Sequence, residues 1–312
     1  MAFTTDIELR QLRVFLAVVD CGGYTPAQSY LNMALPTISA HMSSLETRIG
    51  YTLCHRGRSA FKLTEKGEII CDEARKLFLA LEKFGGVAER IKGNLAGVLR
   101  IGMVDSTYTN DFFSLQKIIS IFNKRGHQVD ISLEISRNMD LEKALIHTEL
   151  DIAVGPFNTS NESLDCIPLY TEKMDIFCGQ GNPNFDNNKM LTDFDLEKFD
   201  TSVRDYWNAD DTSRLRGSKC RATVSSLEAQ LILLLSGGYI GYLPVHFASR
   251  WVETNMLKPL CQGRYSYDVP FSLATKRGID RSEVVDAFLT DVDTLLKVLS
   301  GRGAGDLNSP LV

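Results

Sequence analysis

Apolar residues recur every three or four positions through the first 95 residues. Beyond them, helical stretches alternate with short β-like runs. Leu9, Leu12, Phe15, Leu16 and Val19 form one stripe, predicting a helix from about residue 6 to 21. Two short helices follow in TPAQSYLNMALPTISAHMSSLETRIG, residues 25–50. Gly22 and Gly23 end the preceding helix, and the Thr25 hydroxyl is placed to cap the next one. Pro36 opens the second of the pair, where its missing N–H costs nothing. Ile38, Met42, Leu45 and Ile49 share one face. Thr37, Ala40, His41 and Ser44 share the other, with no acidic residue before Glu46. A helix buried on one side and small and polar on the other suits the major groove of a duplex.

Leu53 and Cys54 then lead into an Arg-Gly-Arg turn. Phe61 and Leu63 alternate with Lys62 and Thr64, the pattern of a small β-hairpin, or wing, with a basic tip. Thr64, Glu65 and Gly67 begin a further helix. Its apolar positions Ile70, Ala74, Leu77, Leu81, Phe84, Ala88, Ile91 and Leu95 keep an unbroken four-three alternation. An isolated stripe usually packs on its own domain. One lasting about three and a half heptads between differently patterned regions predicts a dimerising connector of roughly 40 Å. Gly85 and Gly86 mark its weak point.

From Gly97 the order becomes strand 98–104, helix 110–124, strand 129–135, helix 139–147 and strand 151–155. That βαβαβ order implies a parallel sheet. A second set follows: strands 173–178, 199–203 and 220–224, helix 226–235, strands 239–243 and 269–275, and a closing helix 281–299. Two α/β units of similar size predict a ligand cleft between them. The tail, residues 301–312, reads as flexible.

At 44% hydrophobic and 23% charged residues the chain is globular rather than disordered. No apolar run reaches the roughly 18 residues of a membrane span. Asp6 and Glu8 precede an amphipathic segment, which is no secretory pattern. Seven scattered cysteines without a CxxC pair argue against structural zinc and a disulfide framework, and for reduced thiols in a cytoplasm. The net charge of −5 is uneven. Residues 1–95 hold 12 Lys+Arg against 10 Asp+Glu, and the remainder 22 against 29. Basic surface is therefore local, at His55, Arg56, Arg58, Lys62 and Lys66, which as a bare run reads equally as a solvated face.

Residues 9–68, LRQLRVFLAVVDCGGYTPAQSYLNMALPTISAHMSSLETRIGYTLCHRGRSAFKLTEKGE with its neighbouring residues, resemble the LysR-type transcriptional regulators. More weakly, LRIGMV, LDIAVG and VSSLEAQLILLLSGGYIGYLP resemble segments of that family's effector domain. The resemblance implies an α/β multidomain fold. A winged helix-turn-helix (residues 1–66) and a linker helix (67–95) precede a two-lobed, periplasmic-binding-protein-like, Rossmann-like effector domain (96–300). One lobe spans about 96–165 with 269–300, the other about 166–268. It implies a homodimer, and a tetramer as a dimer of dimers, bound to double-stranded promoter DNA. A small-molecule effector switches it, RNA polymerase is a further partner, and there is no catalysis, no membrane and no cofactor. The chain departs from the family at Ala34, where serine is usual, at Leu35, often glutamine, and at Ala40, often arginine or glutamine. Loss of the serine removes an N-cap from the recognition helix, which costs about 1 kcal/mol.

Candidate DNA contacts are Arg10, Thr25, Pro36, Thr37, Ser39 and His41, with Arg56, Arg58 and Lys62 of the wing on phosphates. Thr25 and Pro36 also shape helices, and Arg10 reads equally as an ordinary surface residue. Candidate effector contacts are Ser106 and Thr107 after the first strand, Asn138 after the second, Ser226 before a helix, and Arg204 as countercharge to an anion. Tyr206 and Trp207 are placed to stack on such a ligand. Helix capping is the plain alternative for the serines. Asp105 opposes an anionic ligand and leaves a zwitterionic or amine-bearing one open. Cys220 and Cys261 read as buried, inert thiols, with a redox sensor on the same scaffold as the alternative. A small-molecule binding protein or enzyme whose N-terminal domain only mediates assembly is the other. Neither GxGxxG nor GxxxxGK[ST] occurs, and His127, His147 and His246 lack metal-ligand spacing.

Overall fold

The computed structural model describes residues 6–55, 61–91, 94–110, 113–183, 185–186, 199–205, 213–215, 218–260 and 263–301. The chain divides into two compact units, Met1–Ile91 and Lys92–Val312.

The first unit holds α1 (Asp6–Asp20), α2 (Tyr24–Leu31), α3 (Leu35–Ile49), a hairpin of β1 (Cys54–His55) and β2 (Lys62–Leu63), and α4 (Glu65–Ile91). Its core gathers Phe15 from α1, Ala27 from α2, Ile38, Met42 and Leu45 from α3, and Leu53, all with zero exposure. Each large side chain there contributes about 1.5–3 kcal/mol of burial. The stripe expected on α1 is displaced. Leu12, Val14, Phe15, Ala17 and Val18 are buried, whereas Leu16 and Val19 are only partly so. The reason is that α1 touches α2, α3 and α4, so more than one of its faces is covered.

Thr25 does not cap α2. The helix starts one residue earlier, its N-cap is Gly23, and there is no side-chain cap hydrogen bond. The N-cap of α3 is Ala34, also without a side-chain bond. The missing polar group is supplied from elsewhere, because Gln28 Oε1 on α2 accepts the Leu35 N–H at 3.1 Å. Gly50 ends α3 in the left-handed region, φ 89°, where glycine carries no steric penalty.

Thr64 joins wing to α4. Its Oγ1 accepts the Gly67 N–H at 2.9 Å and donates to Thr52 O at 2.9 Å. α4 runs unbroken through Gly85 and Gly86. Leu95 lies beyond it and packs on the core of the second unit, so the seam ends at Ile91. Two glycines of α4 give opposite expectations. A Cβ at Gly67 would sit 2.1 Å from Leu53 O, while one at Gly85 meets nothing within 4 Å. Gly85→Ala therefore gains about 1 kcal/mol of helix propensity, whereas Gly67→Ala loses about 2 kcal/mol through the clash. Native-state hydrogen exchange of the α1–α4 amides in the full chain reads both. Equal shifts of one sign would contradict this packing.

The second unit contains one mixed sheet in the order β4-β3-β5-β11-β6-β9-β7-β8, with β10 also on β6. The strands are β3 (Ala96–Met103), β4 (Gln128–Ile135), β5 (Ile152–Gly155), β6 (Leu164–Gly179), β7 (Asp200–Arg204), β8 (Lys219–Val224), β9 (Ile240–Pro244), β10 (Leu257–Pro259) and β11 (Tyr267–Lys276). The helices are α5 (Leu115–Asn123), α6 (Asn138–Ile146), α7 (Leu227–Leu235), α8 (Val245–Glu253) and α9 (Glu283–Gly301). β3 pairs in parallel with β4 and β5, and β7 with β8 and β9. These two parallel halves are joined by β6 and β11, antiparallel to each other over ten paired positions with a bulge at Phe271/Ser272. The sheet is therefore continuous through residues 165 and 268, by way of β6 and β11. β6 is also far longer than the expected strand 173–178.

Other expectations shift in detail. The helix expected over 110–124 is a 3-10 turn at Thr107–Thr109 followed by α5. Phe113 is buried ahead of α5, while Ile121 is 38% exposed. α8 and β10 were not anticipated. Cys220 is exposed rather than buried, because β8 is an edge strand. Cys261 and the tail from residue 302 lie outside the described residues. No helix among the described residues is long and apolar enough to cross a membrane.

Candidate functional site

The outward face of α3 is small and uncharged. Pro36, Thr37 and Ala40 are exposed, Ser39 and His41 half-exposed, over fully buried Ile38, Met42 and Leu45. Glu46, the first acid of the helix, is turned away, its Oε1 accepting the Leu53 N–H at 2.8 Å. Ser44 is tied to α1 as acceptor from Gln11 Nε2 at 2.9 Å. Arg10 and Thr25 are exposed, as is Lys62 in the wing. Lys66 stacks over the Tyr51 ring at 4.6 Å. Arg56 and Arg58, the expected tip of the wing, lie outside the described residues.

In the second unit, Asp105 at the end of β3, Asn138 opening α6, Glu172 in mid-β6, Arg204 ending β7 and Leu227 opening α7 line a common cavity of about 20 Å³. That is room for one water. A broader hollow of about 550 Å³ lies nearby, lined by Tyr108, Thr109, Glu172, His246 and Trp251 among others. The small cavity is the better candidate despite its size, because buried charged groups converge there and the hollow is open to solvent.

Arg204 is 4% exposed and donates from Nη2 to Tyr267 Oη at 3.3 Å. Asp105 Oδ2 accepts the Leu227 N–H at 2.6 Å, at the first turn of α7. Burial pushes the Asp105 carboxyl above its ordinary pKa, and this outweighs the lowering by that N–H and by Arg204. Glu172 Oε2 lies 2.8 Å from His246 Nε2, and His246 Nδ1 lies 2.7 Å from Thr109 Oγ1. This chain ties the loop after β3 to α8 through the crossover strand.

Of the five expected ligand residues, only Asn138 and Arg204 line the cavity. Ser226 is a helix cap, its Oγ accepting the Ala229 N–H at 3.2 Å. Thr107 and Ser106 are buried in the turn after β3. Ser106 has φ 59° and an Oγ without a hydrogen-bond partner. Tyr206 and Trp207 lie outside the described residues. Glu172 was missed, since its strand was expected to begin only at Lys173. Alternation through Tyr170 and Glu172 was the available signal, masked by Pro168. Among the described residues, no cluster of His, Cys, Asp and Glu could hold a metal ion.

Two family models match the chain. One is the bacterial regulatory helix-turn-helix protein, lysR family, over residues 9–68; the other is the LysR substrate binding domain, over residues 92–295. The HTH-type transcriptional activator BauR of Pseudomonas aeruginosa is 30% identical across 92% of this chain and 95% of its own. Full-length CbnR complexed with its target DNA superposes with a TM-score of 0.60 at 18% identity, over 92% of this chain and 99% of that one. Full-length LysG of Corynebacterium glutamicum with bound effector Arg gives 0.55 at 16% identity, over 93% and 98%. A helix-turn-helix match and a substrate-domain match, in that order along one chain, leave one assignment: the chain belongs to the LysR family of transcriptional regulators.

Proposed function

We propose that this regulator grips promoter DNA as a homo-oligomer through α3 and the wing, and that a small molecule in the cleft around Arg204 sets its transcriptional output. The carrying observation is α3 itself, with Ile38, Met42 and Leu45 wholly buried beneath an exposed face free of acidic groups. Such a face enters a major groove without repelling phosphates. Thr37, Ser39 and His41 are the base-reading candidates, with Ala40 against a thymine methyl. Arg56, Arg58 and Lys62 supply affinity without sequence information. The DNA complex of CbnR supports the first half of this reading and effector-bound LysG the second. Contact with RNA polymerase belongs to the same reading, as does residence in the cytoplasm beside the promoter.

Footprinting on DNA upstream of the regulator's own gene tests it. The expected result is a protected, roughly palindromic site. Binding no tighter than to random DNA at matched salt would overturn the proposal.

A further inference from the structure

The charge in the cleft is lopsided. Among the described residues two carboxylates, Asp105 and Glu172, line it together with one guanidinium, Arg204. Asp105 is held above its ordinary pKa by burial, with Glu228 and Glu172 adding to the effect. A carboxylate in that condition gains from a cation that enters with it. Glu172 has the His246 ring at 2.8 Å on one oxygen, whereas Asp105 meets a neutral backbone N–H, that of Leu227 at 2.6 Å, which leaves Asp105 as the principal acceptor for a cation. Asn138 adds a second. Its Nδ2 faces two acceptors, Pro156 O at 3.3 Å and Glu142 Oε1 at 3.4 Å, which fixes the orientation of the amide. Its Oδ1 is thereby turned the other way, buried and without a hydrogen-bond partner. A Cβ at Gly155 would come within 2.9 Å of that oxygen, so the glycine keeps the acceptor uncrowded. The cleft thus offers carboxylate and amide oxygens as acceptors beside a buried arginine.

We infer that the cleft takes a small zwitterion, a free amino acid or short amino carboxylate, with its ammonium at Asp105 and Asn138 Oδ1 and its carboxylate at Arg204. This rests on the reading of the cleft as the effector site. A plain carboxylic acid leaves the Asp105 wall unsatisfied, and a dicarboxylate sets a second negative charge against Asp105 and Glu172. A simple amine leaves Arg204 facing a cation. The cavity, sized for one water, makes a short carbon skeleton the best fit and requires the walls to part on entry.

Calorimetry and thermal shift on the full chain test this. The probes are amino acids of about two to six carbons, with the amine at the α or the terminal carbon, beside the same skeletons lacking either the amine or the carboxylate. At least one amino acid should stabilise the protein and bind about tenfold or more tighter than either truncated partner, the range for a hydrogen bond to a buried charge. Asp105→Asn keeps an acceptor for the Leu227 N–H, so the fold survives. It should erase the preference for the amine without weakening the amine-free acid. Arg204→Gln should erase the preference for the carboxylate. Glu172→Gln, which keeps a partner for His246, is the second variant should Asp105→Asn melt early, and it should narrow the same preference. Amine-free acids binding as tightly as amino acids, with a ratio that Asp105→Asn leaves unchanged, would overturn the zwitterion and leave the effector cleft standing. Silence from the whole panel would also overturn it. A compound that binds regardless of both the Asp105 and Arg204 variants would overturn the cleft itself.

Discussion

Aspartate in place of Thr37 lowers operator affinity by about a hundredfold, roughly 2.7 kcal/mol, while the protein melts no earlier than its parent. The two halves of this expectation have opposite electrostatic signs. Thr37 is exposed and lies in the first turn of α3, a turn without an acidic residue and without a side-chain cap at Ala34. A carboxylate there sits at the positive end of the helix dipole, a gain of about 0.3–1 kcal/mol. Against DNA the same charge meets phosphates and acceptor-rich base edges, where a lost base contact costs about 1–3 kcal/mol and repulsion adds to it. Fluorescence anisotropy at fixed salt, with thermal melts of the same samples, separates the two effects. A variant that binds like the parent would show that this face of α3 does not meet DNA.

The second large effect belongs to α4. Leu77 and Leu81 are 40% and 41% exposed, Phe84 75% and Ile91 81%, although they keep the heptad register. The same stripe begins at Ile70 and Ala74, which with Leu12, Ile49 and Tyr51 line an apolar groove of about 360 Å³. A single chain has no reason to leave this much apolar surface wet. In the proposed homo-oligomer a second copy related by a twofold axis would cover it, at about 1.5–3 kcal/mol for each large side chain buried. Leu81→Asp with Phe84→Asp therefore converts dimers to monomers at micromolar concentration. The α4 helix survives, since neither side chain is in the core of its unit. Sedimentation should show the mass halved, and binding to a two-half-site operator should collapse toward that of one half-site. An unchanged mass would remove α4 as the interface.

Sequence reading reached furthest where structure is local. Ile38, Met42, Leu45 and Ile49 sit on one face of α3 because helical spacing alone puts them there, and the structure buries the first three completely. Pro36, Gly50 and Thr64 mark helix ends through backbone chemistry confined to one turn. The order of strands and helices, and hence the parallel halves of the sheet, follows from periodicity in the same way.

What periodicity missed depends on partners distant along the chain. α1 is covered on more than one side, so its stripe does not predict which residues are buried. β6 is continuous through Pro168 because β11 pairs beside it, and a pairing between residues 164 and 276 leaves no local trace. The bare N-terminus of α3 looks like a defect until Gln28 of α2 meets the Leu35 N–H. The cleft is the extreme case. Asp105, Asn138, Glu172 and Arg204 come from four separate elements, and each read singly is a cap or a surface charge. By itself the sequence determined the helices and hairpin of the first unit, the heptad spacing along α4 and the family, because short-range spacing and backbone chemistry suffice for those. Only the tertiary structure decided that an arginine and two carboxylates share one cavity, because burial and proximity exist only once the sheet is assembled.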